Sequence, residues 1–208
     1  VKDCASFDGI GDRFWQHVEH GIEGHTPILC GYNAINYDVR IMNAEFERHG
    51  FAYRINPDDV LDPFLFVSWH HRHWKVRKLE AVAARYGYEL TNAHAATADC
   101  EATGAVLSGM IKAGVIPAQL DEALAAQKTM RTHLSDEDQR FRYHLYIDRE
   151  DRQTVRLGFG KHIGLPLAEA DPGYLNFCLG KMDDKLTDET KALFREQSER
   201  GGKPRSLF

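Results

Sequence analysis

The chain has 208 residues, of which 43% are hydrophobic, so it is long enough for one full domain or for one domain with a small addition. Its formal net charge of −5 argues against a surface coated with basic residues, but it is compatible with an acidic metal-binding pocket that has a local basic rim. The sequence shows neither an apolar run of membrane-spanning length nor a signal-peptide pattern, so we expect a cytoplasmic protein with no membrane partner.

Predicted helices alternate with short apolar runs in the first half of the chain. Residues 11–20 space their apolar side chains like a helix, and residues 26–33 form a short apolar run that suits a buried strand. The next helix is predicted to begin at Asp38, which is placed to cap it, and to end at Gly50. A second strand followed by a short helix is predicted within residues 58–69.

The later elements fall into two regions. Amphipathic helices are predicted over residues 75–87 and from about Ala96 to Ala113. A helix from Ala118 to Arg131 leads to two β-like runs within residues 142–160 and to a final helix that Thr187 opens. We therefore divide the chain into a first domain over residues 1–117, a helical linker over 118–142 and a small domain over 143–208.

A histidine and an acid lie five residues apart in the alanine-rich segment TNAHAATADCEAT. Five residues of helix turn by about 500°, so His94 and Asp99 do not share a face if both are helical. We expect the helix to begin near Ala96, with His94 in the loop before it and Asp99 in its first turns, facing the same cleft. Taken by itself, such a pair is more often a solvated acid on a helix and a histidine in a loop than a functional pair.

Asp38 has a more telling position. It follows an apolar run at a predicted strand-to-helix turn, the place where α/β proteins put ligand-binding groups. The alternative is an aspartate that only caps the helix, which is common. The position therefore makes Asp38 a second candidate functional residue.

The order of these features resembles a known enzyme family. A strand, Asn33, Asp38, a helix, a second strand, another helix and then NAHAATADCEAT resemble the histidine-bearing DEDD 3′–5′ exonucleases of the proofreading type. The last segment is similar to bacterial exonuclease I. The resemblance covers about Gly9 to Lys112 and implies a ribonuclease H-like α/β fold.

The resemblance also implies a chemistry. By it, Asp38 and Asp99 are metal ligands, and His94 is the general base that takes a proton from the attacking water. Two Mg²⁺ or Mn²⁺ ions are the implied cofactors, because hard cations prefer carboxylates and neutralise charge on the reacting oxygens. The implied partner is single-stranded DNA or a DNA 3′ end.

The front of the chain departs from the family pattern. Members open with a β-strand that ends in Asp-x-Glu and supplies two further metal ligands, and nothing before Asp38 matches it. We therefore expect two of the four family carboxylates and a sheet that lacks its N-terminal strands, with an edge to which another chain can pair. Asp148 and Glu150 match the Asp-x-Glu motif, but the residues around them predict the tip of a hairpin that faces water.

One basic segment is a candidate for contact with nucleic acid. Trp74, Lys75, Arg77 and Lys78 combine a base-stacking ring with cations for phosphate, although the solvated start of an amphipathic helix has the same composition. The preceding histidines, residues 70–73, lack a paired carboxylate and predict a polar surface stretch rather than a metal site.

The C-terminal segment FGKHIGLPLAEADPGYLNFCL resembles a small domain of unknown function that is appended to such exonucleases. Amides near Gly158, Gly160 and Gly164, with Lys161 and His162, are candidates for phosphate contact. A glycine-rich turn that packs a hairpin on a helix is an equal alternative.

We therefore expect a metal-dependent 3′–5′ exonuclease that hydrolyses phosphodiester bonds at DNA 3′ ends, present here in an incomplete version. The expected fold is a ribonuclease H-like α/β domain, without its N-terminal strands, followed by a small α+β domain. The alternative from another class is a catalytically inactive module, derived from an exonuclease, that binds nucleic acid or a partner protein. An upstream strand ending in Asp-x-Glu distinguishes the two.

Overall fold

The computed structural model describes residues 6–21, 25, 27–91 and 95–201. These residues divide into two compact units. Unit 1 is formed by Val1–Phe66 and Arg77–Thr129, and unit 2 by Val67–Val76 and Met130–Phe208. The helices and strands are α1 Phe7–His20, β1 Leu29–Cys30, α2 Asp38–Arg48, β2 Val60–Leu61, α3 Pro63–His70, α4 Leu79–Arg85, α5 Ala96–Lys112, α6 Leu120–Phe141, β3 Leu145–Ile147, β4 Val155–Leu157, α7 Pro172–Lys181 and α8 Asp188–Gly201.

Unit 1 contains a pair of parallel strands, β1 and β2. Leu29 pairs with Val60, and Cys30 pairs with Leu61. These strands are the two apolar runs that the sequence predicted, and α2 and α5 follow them as predicted. The described part of unit 1 holds this single two-stranded sheet, and the ribonuclease H-like fold stays a prediction.

The start of α2 differs by one residue from the predicted cap. Tyr37 is the N-cap, and Asp38 is the first helical residue, with an exposed side chain. Asp38 is therefore not the cap, and its carboxylate is available for another role. The predicted end is confirmed, because Gly50 adopts a φ of 72°, which glycine tolerates without strain.

An aromatic cluster packs α1 on α2 and on the segment that follows it. The ring of Phe46, at 0% exposure, contacts the rings of Phe7, Trp15 and Tyr53 at centroid distances of 5.4 to 5.9 Å. Gly11 lies against this cluster, and a Cβ there would come within 2.8 Å of the Phe51 ring. The close approach requires glycine in the middle of α1.

Unit 2 is built on the β3–β4 hairpin and on the packed pair α7 and α8. Leu145 pairs with Leu157 and Ile147 with Val155 in antiparallel register. The core of the unit contains Phe141, Leu145, Leu157, Leu167, Ala170, Leu175, Cys178, Leu186 and Phe194. The hydroxyl of Thr187 accepts a hydrogen bond from the Thr190 amide at 3.2 Å, which confirms that Thr187 opens α8.

Helix α6 is longer than predicted. It runs through the acidic segment after Arg131 and ends at Phe141. Glu137 explains the extension, because it is 5% exposed and forms a two-point ion pair with Arg149, with N to O distances of 2.6 and 2.7 Å. Asp136 and Asp138 are exposed on either side of it. In this acidic segment, Glu137 therefore faces inward, while the acids on either side of it face solvent.

The part of the chain that the structure describes includes no helix that is both long enough and apolar enough to cross a membrane. The predicted boundaries at residues 117 and 142 stay predictions.

Candidate functional site

Unit 1 contains a pocket of about 690 Å³ beside the parallel strands. Leu29 and Cys30 of β1 form one wall of the pocket. Gly31 and Tyr32, which follow β1 directly, line the pocket at the carboxyl end of that strand. Helices α2 and α5 contribute side chains from other sides. The pocket therefore lies at the carboxyl end of a parallel strand pair, where open α/β sheets bind ligands.

Two carboxylates line this pocket, and they are the two that the sequence singled out. Asp38 comes from the first residue of α2 and is exposed. Asp99 comes from the first turn of α5, is partly exposed, and donates its amide to the Ala95 carbonyl at 3.0 Å. Apolar side chains make up much of the remaining wall, including Val39 and Leu107.

His94, the predicted general base, lies outside the described residues. Its role stays a prediction. The described chain resumes at Ala95, the N-cap of α5, and Ala96 lines the pocket.

A third carboxylate, Asp62, lies directly after β2 and was not singled out from the sequence. It is 0% exposed. Its Oδ1 accepts hydrogen bonds from the amides of Asn33 at 2.7 Å and Phe64 at 3.0 Å, and its Oδ2 accepts from the amide of Ile35 at 3.2 Å. The sequence feature that could have drawn attention to Asp62 is its place after an apolar run and directly before Pro63, an order typical of a helix start.

Burial controls the protonation of Asp62. Loss of solvent raises its pKa from the ordinary 3.8 to about 6, and the three amide hydrogen bonds only partly offset this. The negative charge of Asp38 raises the pKa of Asp62 further. Asp62 and Asp38 are therefore electrostatically coupled, although Asp62 does not line the pocket.

Gln127 occupies the outer edge of β2. Its amide nitrogen donates to the Val60 carbonyl at 2.8 Å, and its amide oxygen accepts from the Asp62 amide at 2.7 Å. Gln127 is 2% exposed, so these bonds are shielded from water. The side chain satisfies the groups that a neighbouring strand would otherwise bind.

Two other groups near the site have raised pKa values. Cys30 is exposed as a residue, but partial loss of solvent around its thiol, and then the charge of Asp62, raise the pKa of the thiol, so the thiol is protonated at neutral pH. Burial also raises the pKa of Tyr32, whose hydroxyl donates to the Arg77 carbonyl at 2.6 Å. Neither group is suited to act as a base at neutral pH.

The four residues proposed to bind nucleic acid are not among the described residues that line the pocket. The ring of Trp74 stacks on the ring of His71 at 3.9 Å with an interplanar angle of 2°. Lys75 is exposed, and Lys78 is the exposed N-cap of α4. Their binding role stays a prediction.

The acids of the hairpin lie between β3 and β4. Asp148 forms an ion pair with Arg156 of the opposite strand, and Glu150 is exposed. Glu150 therefore faces water as predicted, whereas Asp148 turns back onto the hairpin. Among the residues that the structure describes, no three His, Cys, Asp or Glu side chains are grouped closely enough to hold a metal ion.

The glycine-rich loop of unit 2 uses its amides internally. Gly158 donates to the His144 carbonyl, and Gly164 donates to the Leu157 carbonyl, each at 2.8 Å. A Cβ on Gly158 would collide with the carbonyl oxygen of Tyr143. These contacts favour the packing role of the loop, the alternative left open above.

Part of the chain is similar to bacterial DNA polymerase III of the PolC type. The protein of Lacticaseibacillus paracasei is 36% identical over 85 residues, which are 41% of this chain and 6% of that polymerase. The protein of Streptococcus pneumoniae is 35% identical over 112 residues, 54% of this chain and 7% of the polymerase. The protein of Latilactobacillus sakei is 34% identical over 80 residues, which are 38% of this chain and 5% of that polymerase.

The chain thus spans less than a tenth of the length of the curated relatives it matches. No family model matches the chain, and neither does any solved structure. The comparisons therefore relate part of the chain to DNA polymerase III of the PolC type.

Proposed function

We propose that unit 1 carries the site of a metal-dependent 3′–5′ exonuclease of the DEDD type that acts on DNA 3′ ends. The observation that carries the proposal is that Asp38 and Asp99 both line one pocket. The two acids are separated by 60 residues in sequence, yet each stands in the first turn of a helix that opens on the carboxyl end of the parallel strands. Carboxylates that line such a pocket are ligands of the type that hard cations prefer.

The partial similarity to PolC-type DNA polymerase III supports DNA as the substrate. The names of those relatives describe DNA polymerases, and only a small share of their length is involved. The exonuclease activity, the 3′ polarity and the DNA preference are therefore parts of the proposal.

Carboxylate oxygens are the kind of ligand atom that Mg²⁺ and Mn²⁺ take. Asp38 and Asp99 would hold the cations through carboxylate oxygens, which such ions prefer to the sulfur of the nearby Cys30 and Cys100. When bound, a pair of these ions neutralises charge on the attacking and leaving oxygens of a phosphodiester. His94 is proposed to accept the proton of the attacking water, since an imidazole accepts protons near neutral pH.

Two carboxylates are fewer than two such ions need, so the proposal includes further ligands from a segment that pairs with β1. The outer edge of β2 is occupied by Gln127. No strand among the described residues pairs with the second edge of β1, and Leu29 and Cys30 face the pocket there. An apolar extended segment, from additional sequence or from another chain, would cover this wall and bring acids to its end.

The test is digestion of a 3′-labelled single-stranded oligonucleotide with Mg²⁺ or Mn²⁺. The chain and a form extended at its N-terminus are assayed in parallel, each also as Asp38→Asn and Asp99→Asn. Asp59→Asn is the matched control, because it makes the same change at an exposed acid of unit 1. We expect the extended form to lose its activity in both site variants and to keep it in the control, because the two site variants remove carboxylates proposed to hold the ions.

His94→Ala is expected to lower turnover about 10²–10⁴-fold while retaining Mn²⁺ binding, because a general base contributes about that factor. Cleavage that survives Asp38→Asn and Asp99→Asn would overturn the proposal. Binding of the oligonucleotide without cleavage by the extended form would favour the alternative, a catalytically inactive binding module.

A further inference from the structure

Asp62 makes more contacts than helix capping explains. Its bond to the Phe64 amide belongs to the start of α3, where an aspartate before proline is a common cap. The bonds to Asn33 and Ile35 do not belong to α3, since these residues lie in the loop after β1. A fully buried carboxylate therefore ties the end of one strand to the loop that follows the other.

That loop leads directly to Asp38. Asn33 is held at a φ of 64°, a left-handed conformation that is unusual for a residue with a side chain. Ala34, between the two tethered residues, accepts the amide of Val39 at 2.9 Å. The position of the first turn of α2, and with it Asp38, is thus coupled through two hydrogen bonds to the Asp62 carboxylate.

Asp62 is itself fixed from the other side. Gln127 accepts the Asp62 amide at 2.7 Å and donates to the Val60 carbonyl at 2.8 Å, and both side chains are almost fully buried. The contacts form a continuous chain from α6 through β2 to the loop. A chain of buried, satisfied hydrogen bonds restricts the positions that its end can occupy.

We propose that Asp62 is a positioning residue of the candidate metal site, which holds residues 33–35 and thereby sets the place of Asp38. The inference rests on the proposed function. Asp62 does not line the pocket, and its charge lies close enough to that of Asp38 for the two carboxylates to interact.

The test measures Mn²⁺ binding to the full chain by the electron paramagnetic resonance signal of free Mn²⁺, without any substrate. Asp62→Asn removes the charge, whereas Asp62→Ser keeps a capping oxygen for α3 and is too short to reach both loop amides. Asp59→Asn is again the control. We expect Asp62→Asn and Asp62→Ser to weaken Mn²⁺ binding ~10-fold, the effect typical of groups that orient a ligand, and the control to bind like the wild type.

A double-mutant cycle separates positioning from a general loss of structure. If Asp62 acts through Asp38, the variant Asp38→Asn/Asp62→Asn binds Mn²⁺ no more weakly than Asp38→Asn alone. Additive losses would overturn the inference. Unchanged binding in both Asp62 variants, with weakened binding in Asp38→Asn, would also overturn it and leave the proposed function intact. Unchanged binding in Asp38→Asn would instead overturn the proposed function.

A measurement on the wild type covers the case in which the Asp62 variants do not fold. Mg²⁺ is titrated into isotope-labelled chain, and amide resonances are followed. The amides of Asn33 and Ile35 are expected to shift with the same midpoint as that of Asp38, while the amide of Thr154 in unit 2 stays in place. Loop amides that ignore Mg²⁺ while Asp38 responds would contradict a coupling through Asp62.

Discussion

At the scale of single residues, Asp62 shows how burial and hydrogen bonding compete. Three backbone amides donate to its carboxylate and favour the charged form. The loss of water around a side chain of 0% exposure favours the neutral form. Burial has the larger effect, and the pKa of Asp62 therefore rises to about 6. The charge is kept at neutral pH at a cost in stability, as expected for a group retained for function.

This cost gives a pH dependence of known sign. In the unfolded chain Asp62 loses its proton near pH 3.8, whereas in the fold it keeps the proton up to about pH 6. Between these two pH values the folded state therefore binds more protons than the unfolded state. Relative to Asp62→Asn, the wild type thus gains free energy of unfolding that is fully present below pH 3.8 and is lost as the pH rises through 6. At about 1.4 kcal/mol per pKa unit, the difference is on the order of 3 kcal/mol.

The measurement is urea unfolding of the wild type and Asp62→Asn between pH 4 and 7, followed by hydrogen exchange of the amides in β1 and β2. These amides report on unit 1 alone. A gap between the two proteins that does not change with pH would show that Asp62 has an ordinary pKa.

His144 in unit 2 has the opposite pH dependence. It is 0% exposed, neither ring nitrogen has a hydrogen-bond partner, and its ring contacts those of Tyr143 and Phe159. Burial lowers its pKa below the usual 6.5. The unfolded chain therefore binds the extra proton first, and stability present above pH 6.5 is lost as pH falls below it.

We expect His144→Leu to gain stability relative to the wild type when the pH falls from 7.5 to 5. Leucine keeps an apolar side chain of similar size and removes both the titration and the two unpartnered nitrogens, which cost about 1–3 kcal/mol each when buried. Urea midpoints at the two pH values provide the measurement. Tyr143→Leu is the control, because it changes a neighbouring ring without an imidazole. An equal effect of pH on all three proteins would contradict the expectation.

At the scale of elements, the last turns of α6 are attached to the β3–β4 hairpin by one buried ion pair. Glu137 binds the Arg149 guanidinium at two points and also accepts the amide of Ile147 at 2.9 Å. The guanidinium lies 4.0 Å from the ring centroid of Trp69. Arg149 therefore depends on Glu137 for charge compensation in a partly buried position.

Glu137→Ala is expected to destabilise unit 2 by about 3 kcal/mol or more, because it leaves a partly buried cation without its partner. Asp138→Ala is the matched control, since it removes the neighbouring exposed acid from the same helix. Thermal unfolding of both variants tests the difference. A midpoint for Glu137→Ala within one degree of that of Asp138→Ala would show that the ion pair contributes little.

At the scale of the whole molecule, the proposed chemistry is confined to unit 1. Asp38, Asp99, Asp62 and Gln127 all belong to it. The chain passes from unit 1 to unit 2 within α3, returns to unit 1 between Val76 and Arg77, and enters unit 2 again within α6, so α3 and α6 each contribute residues to both units. The similarity to PolC-type polymerases covers about half of the chain or less, and the function of unit 2 lies outside the proposal.

Local patterns in the sequence determined where several of the helices begin and end. Helices α2 and α5 follow from apolar periodicity and from terminal residues such as Gly50. Asp38 became a candidate through its place at a predicted strand-to-helix turn, and the assignment of Asp38 and Asp99 as metal ligands came from the family resemblance. Local patterns suffice there because the interactions that form a helix, a cap or a turn lie within a few residues.

The tertiary structure decided what depends on distant partners. Asp62 bonds to residues 33 and 35 across 29 and 27 positions, and Gln127 bonds to β2 across 65 and 67, so neither role is visible in a local pattern. Glu137 stands between two other acids in the sequence, and only the fold shows that Arg149 lies beside it. The physical reason is common to all three: whether a charged or amide side chain is solvated or bonded depends on which groups the fold brings to it, and periodicity does not specify them.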